Sequence, residues 1–129
     1  MRLKFGTKIK KGLIIAASLT LLLVYTTANS ATGPIITEAG VDPVKVRPGD
    51  TMTVTVAVED ESGVSDVIAD MDGIDTLELE IVEGTIYNGI WQKEWLVHDT
   101  VVKDYNTTII VTNMLGLISK TIIEWSDPD

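Results

Sequence analysis

An all-β fold, a seven-stranded Greek-key sandwich behind an apolar N-terminal helix, is what three features of this 129-residue sequence predict. Apolar and polar residues alternate with period two in several stretches, whereas no sustained 3.6-residue period follows Gly33-Pro34. Turn residues recur between those stretches. About 100 residues follow the apolar N-terminal segment, which is room for one domain.

The N-terminal segment comes first. Arg2, Lys4, Lys8, Lys10 and Lys11 precede Gly12 to Ala28, an uncharged apolar run of 17 residues that ends at the small residues Asn29, Ser30 and Ala31. This is the anatomy of a signal peptide, with cleavage after Ala28 or Ser30. The run also sits at the short end of what spans a bilayer, so an uncleaved anchor with its basic end in the cytoplasm is the alternative. Residues 1–30 are thus assigned as signal peptide or membrane anchor, 34–125 as the folded domain and 126–129 as a C-terminal tail. Lys11-Gly12-Leu13-Ile14 also resembles the processing site of archaeal class III signal peptides. That resemblance implies a pilin-like filament subunit cut after Gly12.

The strands follow in order. One is expected from Ile35 to about Val46, interrupted at Asp42-Pro43, and Arg47-Pro48-Gly49-Asp50 turns the chain. The clearest alternation is Thr51 to Glu59, where Met52, Val54, Val56 and Val58 face one way and threonines the other. Val64 to Met71 buries Val67, Ala69 and Met71. In Thr76 to Val82, Leu77, Leu79 and Ile81 alternate with Glu78 and Glu80. A long strand from Thr85 to Val97, bent at Asn88-Gly89, places Tyr87, Trp91, Trp95 and Val97 on one parity. Tyr105 to Thr112 and Leu117 to Trp125, joined through Asn113-Met114-Leu115-Gly116, complete seven strands.

Three segments carry a family resemblance. Val58-Glu59-Asp60-Glu61-Ser62-Gly63-Val64, Gly89 to Asp99, and Lys103 to Asn113 followed by Gly116 resemble the immunoglobulin-like repeats of bacterial and archaeal surface proteins. The resemblance covers residues 34 to 125 and implies an immunoglobulin-like sandwich in which Tyr105 forms the tyrosine corner, its hydroxyl bonding backbone upstream. It also implies an extracellular or cell-surface location, membrane-attached only if residues 12–28 are retained. The antibody-type Cys, Trp, Cys pattern is absent.

Charge narrows the functions. Residues 29–129 hold five basic and 19 acidic side chains, a formal charge of −14, so phosphate backbones and anionic lipids repel this part while basic partners are drawn to it. Nucleic-acid binding is not expected. With no cysteine, there can be no disulfide, thiolate metal site or cysteine nucleophile. His98 is the sole histidine and no nucleophile motif surrounds any serine, so no catalysis is expected.

Three groups of residues remain as candidates. Asp60, Asp66, Asp70 and Asp72, with Glu61 and Asp75 nearby, offer hard oxygen ligands for calcium, although no EF-hand spacing is present and a solvated acidic face is the plainer reading. No other cofactor is expected. Asn106-Thr107-Thr108 is a glycosylation sequon on a solvent-facing parity. Trp91, Trp95 and Trp125 are candidate stacking platforms for sugars, although Trp91 and Trp95 share parity with Tyr87 and core packing is the plainer reading. The expected function is an extracytoplasmic structural or adhesive module of a cell-surface assembly, partnered by other surface proteins or by itself. The alternatives are a glycan- or protein-binding module, with or without calcium, and the filament subunit.

Overall fold

The computed structural model describes residues 32–128. The expected signal peptide, anchor and Gly12 processing point lie outside the described residues. The described chain is all-β, with no helix. Its eight strands are β1 (Ile35–Asp42), β2 (Thr51–Glu59), β3 (Val64–Asp70), β4 (Thr76–Glu78), β5 (Glu80–Gly84), β6 (Asn88–Leu96), β7 (Lys103–Asn113) and β8 (Ile118–Asp127). They form two antiparallel four-stranded sheets, ordered β1-β2-β6-β5 and β4-β3-β7-β8.

The alternation read from the sequence is what the sheets bury. Met52, Val54, Val56 and Val58 of β2 meet Val67 and Ala69 of β3, Ile109 and Val111 of β7, and Trp91 and Trp95 of β6 in one layer. Each buried aliphatic side chain of this kind stabilises by about 1.5–3 kcal/mol through apolar area removed from water. The register is continuous along β2–β6, from Thr51↔Leu96 to Glu59↔Asn88, so a one-residue slip would turn the whole valine set outward.

Four expectations are corrected. The stretch Thr76 to Val82 is not one strand: β4 pairs with β3 and β5 pairs with β6, so the chain changes sheets at Leu79, whose N–H donates to Val67 O. This raises the count from seven strands to eight. The stretch Thr85 to Val97 contains a hairpin turn, in which Thr85 and Asn88 exchange backbone hydrogen bonds and Ile86-Tyr87 forms the tip. Tyr87 is therefore exposed rather than core. Gly84, at φ 83°, and Gly89 make this turn possible, since a Cβ on either would collide with backbone across the hairpin.

The fourth correction concerns the C-terminal tail. Ser126 and Asp127 belong to β8, with Lys103 paired opposite Asp127 and the buried Asp127 carboxylate accepting the Thr100 hydroxyl at 2.8 Å. Asp42-Pro43 bends the chain as the proline predicts, through a cis peptide. After that bend Val44 to Val46 crosses to the other sheet, where Lys45 pairs in parallel with Ser126. The Val46 N–H donates to Ser126 O, and the Ser126 N–H to Val44 O.

Candidate functional site

Two ends and two outer faces are available for chemistry or contact. Thr32 enters at one end, beside the β2–β3 turn, the β5–β6 hairpin and the β7–β8 turn; the opposite end holds the β1–β2, β3–β4 and β6–β7 loops.

At the end far from Thr32 a chain of rings leads from the core to a histidine. Tyr105 stacks on Trp125 at 4.6 Å between centroids, Trp125 meets Trp95 edge-on at 5.7 Å, and Trp95 lies 5.8 Å from His98. Lys103 Nζ sits 4.7 Å above the Tyr105 ring. The Trp125 indole N–H donates to Thr107 Oγ1 at 2.8 Å. The Tyr105 hydroxyl accepts from the Val101 N–H at 2.8 Å and donates to Val101 O at 3.2 Å, so one side chain holds the loop before β7.

His98 is clamped by two carboxylates. Its Nε2 lies 2.6 Å from Asp75 Oδ2 and its Nδ1 lies 2.7 Å from Asp99 Oδ2. A neutral imidazole carries a single N–H, so both contacts are hydrogen bonds only when the ring is a doubly protonated cation. The hydrogen bond to Asp99, then that to Asp75, hold the His98 pKa above the ordinary imidazole value. Asp75 also accepts the Trp95 indole N–H at 2.6 Å. That bond, followed by the one from His98, pulls the Asp75 carboxyl below its usual range. With both nitrogens engaged and no serine bonded to the ring, the group acts as an ionic clasp between loops.

At the Thr32 end the organising side chain is uncharged. Asn113, almost fully buried, donates through Nδ2 to Asp60 Oδ1 at 3.1 Å and to Thr32 O at 3.4 Å. Its Oδ1 accepts from the N–H groups of Leu115 and Leu117, both at 2.9 Å. One amide thus joins the entering chain, the β2–β3 turn and the β7–β8 turn. The turn so fixed presents Met114 and Leu115 at 57% and 59% exposure, with Ile35, Tyr87 and Ile118 exposed around them. Turn tips usually carry small or polar residues.

The outer faces of the two sheets differ in character. Thr53, Thr55, Gln92 and Glu94 make the middle of the β1-β2-β6-β5 face polar, with Gln92 Nε2 donating to Thr55 Oγ1 and Leu96 exposed towards one end. On the other sheet Ile68, Ile110 and Ile122 lie on adjacent strands, in rows where Ile68 opposes Ile110 and Thr108 opposes Ile122. Asp66, Asp70, Glu78 and Glu124 surround them, with Lys120 as the base on the β8 portion of this face.

The sequence-stated candidates fall in different places. Asp60 lies before β3, whereas Asp70 ends it and Asp72 follows, so the seven-residue strand holds them about 20 Å apart. Asp60 accepts the Ser62 N–H, Asp70 the Gly73 N–H and Asp72 the Asn106 N–H, while Asp66 faces outward on β3. The proposed calcium ligands Asp60, Asp66, Asp70 and Asp72 are therefore not brought together, and among the described residues no group of three or more acidic or histidine side chains could hold a metal. Asn106 is exposed on β7 between buried Tyr105 and Thr107. Trp91, Trp95 and Trp125 are all buried, which removes them as sugar-stacking platforms. Asp75 was named only beside the calcium candidates and not as a partner of His98, and Asn113 only as a turn residue; their partners lie 23 and up to 81 positions away, beyond any local pattern.

No protein-family model matches this chain, and no curated protein does. Among solved structures it is similar to an alkylpurine DNA glycosylase, AlkC, from Pseudomonas fluorescens, bound to DNA containing an abasic site analog. Identity is 10%, the TM-score is 0.48, and the match covers 78% of this chain and 32% of that one. That structure is a DNA-repair enzyme and not a surface module, so the expected structural or adhesive role in a cell-surface assembly finds no support in it. At this level of similarity the glycosylase lends the chain neither its activity nor its substrate.

Proposed function

We propose that this chain is an immunoglobulin-like domain, held at the outer face of a membrane by residues 12–28, that works by receiving a basic protein partner and not by catalysis. Several observations support the fold assignment. One sheet has the β1-β2-β6-β5 order and the other contains β3-β7-β8, the arrangement of immunoglobulin-type sandwiches with β4 added at an edge. The Tyr105 hydroxyl bonds the backbone of Val101, as a tyrosine corner does. The basic-then-apolar order of residues 2–28 supports the tether.

The observation that carries the binding role is the isoleucine face. Ile68, Ile110 and Ile122 form an apolar centre, and the acids Asp66, Asp70, Glu78 and Glu124 form its rim. Such a centre gains free energy when covered, and the rim selects a cationic cover. A photo-crosslinking side chain at Ile122, compared with one at Glu94 on the polar face, tests this in intact membranes. The expected result is a protein crosslinked from position 122 whose yield falls as salt rises. Equal yields from both positions, or a yield indifferent to salt, would count against the reading.

A further inference from the structure

We propose that the β7–β8 hairpin tip, Met114-Leu115 with Ile118 beside it, seats in the headgroup layer of the same bilayer that holds residues 12–28. This rests on the tether proposed above. The domain then stands on its Thr32 end and does not swing on a linker.

Chain length sets the distance. Four peptide steps separate Ala28, the last residue of the apolar run, from Thr32, so they span at most about 14 Å. The headgroup layer adds roughly 5–8 Å on each side. Thr32 therefore lies at or near the membrane surface.

What is pinned to Thr32 goes there too. Asn113 Nδ2 reaches Thr32 O, and the same side chain accepts the N–H groups of Leu115 and Leu117. The tip is thus locked beside the point of entry. Met114, Leu115 and Ile118 are each more than half exposed, and Tyr87, also exposed on the neighbouring hairpin, has the amphipathic ring favoured at a membrane interface. Exposed Leu96, Val101 and Val102 at the opposite end have no such neighbour, since β6 and β7 span the length of the sheets between. The lipid must be zwitterionic. Glu59 and Glu61 line the Thr32 end and residues 29–129 carry a charge of −14, so anionic headgroups would repel it.

The chain has no cysteine, so a single introduced thiol reports one position. The full chain is reconstituted in phosphatidylcholine vesicles as Leu115→Cys or as Val101→Cys, each carrying a nitroxide, with tryptophan fluorescence showing that both fold. Intact mass and resistance to carbonate extraction are read first, and a chain cut between residues 28 and 31 or released by carbonate would overturn the tether and this inference together. With the tether intact, the expected result is a label at 115 several-fold less accessible to an aqueous nickel chelate, and more accessible to oxygen, than the label at 101. Equal accessibility would overturn the docked tip while leaving the tether standing. Disulfide formation between Leu115→Cys copies that rises with protein-to-lipid ratio would assign the tip to a second copy instead, and would also overturn it.

Discussion

The two ends of the sandwich are each held by a polar knot, but the knots are made of different chemistry. At the Thr32 end a neutral, buried amide, Asn113, satisfies four backbone and side-chain partners. At the opposite end the loops are joined by a charged ring between Asp75 and Asp99, beside the Tyr105 hydroxyl. The Asn113 amide carries no charge of its own and is almost fully buried, so cutting it leaves several polar groups unpaired; a histidine held between carboxylates in solvent is weaker and titrates. The fold therefore places a buried amide where the chain enters and a titrating histidine at the far loops.

The comparison can be broken most sharply at Asn113. Asn113→Ala strands Asp60, Thr32 O and two turn N–H groups, and is expected to cost about 2–4 kcal/mol in urea unfolding, by loss of several hydrogen bonds of 0.5–1.5 kcal/mol each. A cost below that of Tyr105→Phe would reverse the ranking of the two ends. Tyr105→Phe keeps the ring stack and removes two hydrogen bonds to Val101, for about 1–2 kcal/mol by the same measure.

The ionic knot is sharpened by pH rather than by truncation. Because the folded-state pKa of His98 is raised, its contribution is fully present below the ordinary imidazole pKa and is lost as pH climbs through the raised value. Asp75, whose pKa is lowered, contributes above the ordinary carboxyl range and loses that contribution as pH falls through its depressed value. Melting temperature should therefore fall in the parent as pH rises above the ordinary imidazole range, and that fall should flatten in His98→Asn. An unchanged slope in the variant would detach the clasp from stability. The smallest effect is expected at the tip, where Leu115→Ser should move stability by no more than about 0.5 kcal/mol, since the side chain is exposed and the turn is held by Asn113.

How far the sequence could be read follows from the same physics. Thr51 to Glu59 was legible to the residue because one face is wholly buried and the other carries three threonines, Ala57 and Glu59. The change of sheet at Leu79 was not, since period two tells which side of a strand is buried but not which sheet the strand joins. The hairpin at Ile86-Tyr87 hid behind an apolar tip, where the alternation runs through the turn unbroken. Asp127 read as a charged tail because its burial depends on a hydroxyl at Thr100 that no local pattern announces. For the site, the burial of Trp91 and Trp95 was legible through parity, whereas the Tyr105 hydroxyl bonds were implied by the family resemblance alone. The His98 clasp was not. It is assembled from Asp75 and Asp99 by a fold-dependent meeting of loops, and the four aspartates grouped by sequence proximity were separated by the strand between them.

The crossing of Val44 to Val46 onto β8 has a mechanical consequence. β1 and β8 both run from the Thr32 end towards the opposite end, and the parallel bridge at Lys45 and Ser126 ties the segment after β1 to the end of β8. Traction applied between Thr32 and Pro128 would load the Val46–Ser126 and Ser126–Val44 bonds sideways and simultaneously, so they would have to rupture as a group instead of unzipping one after another.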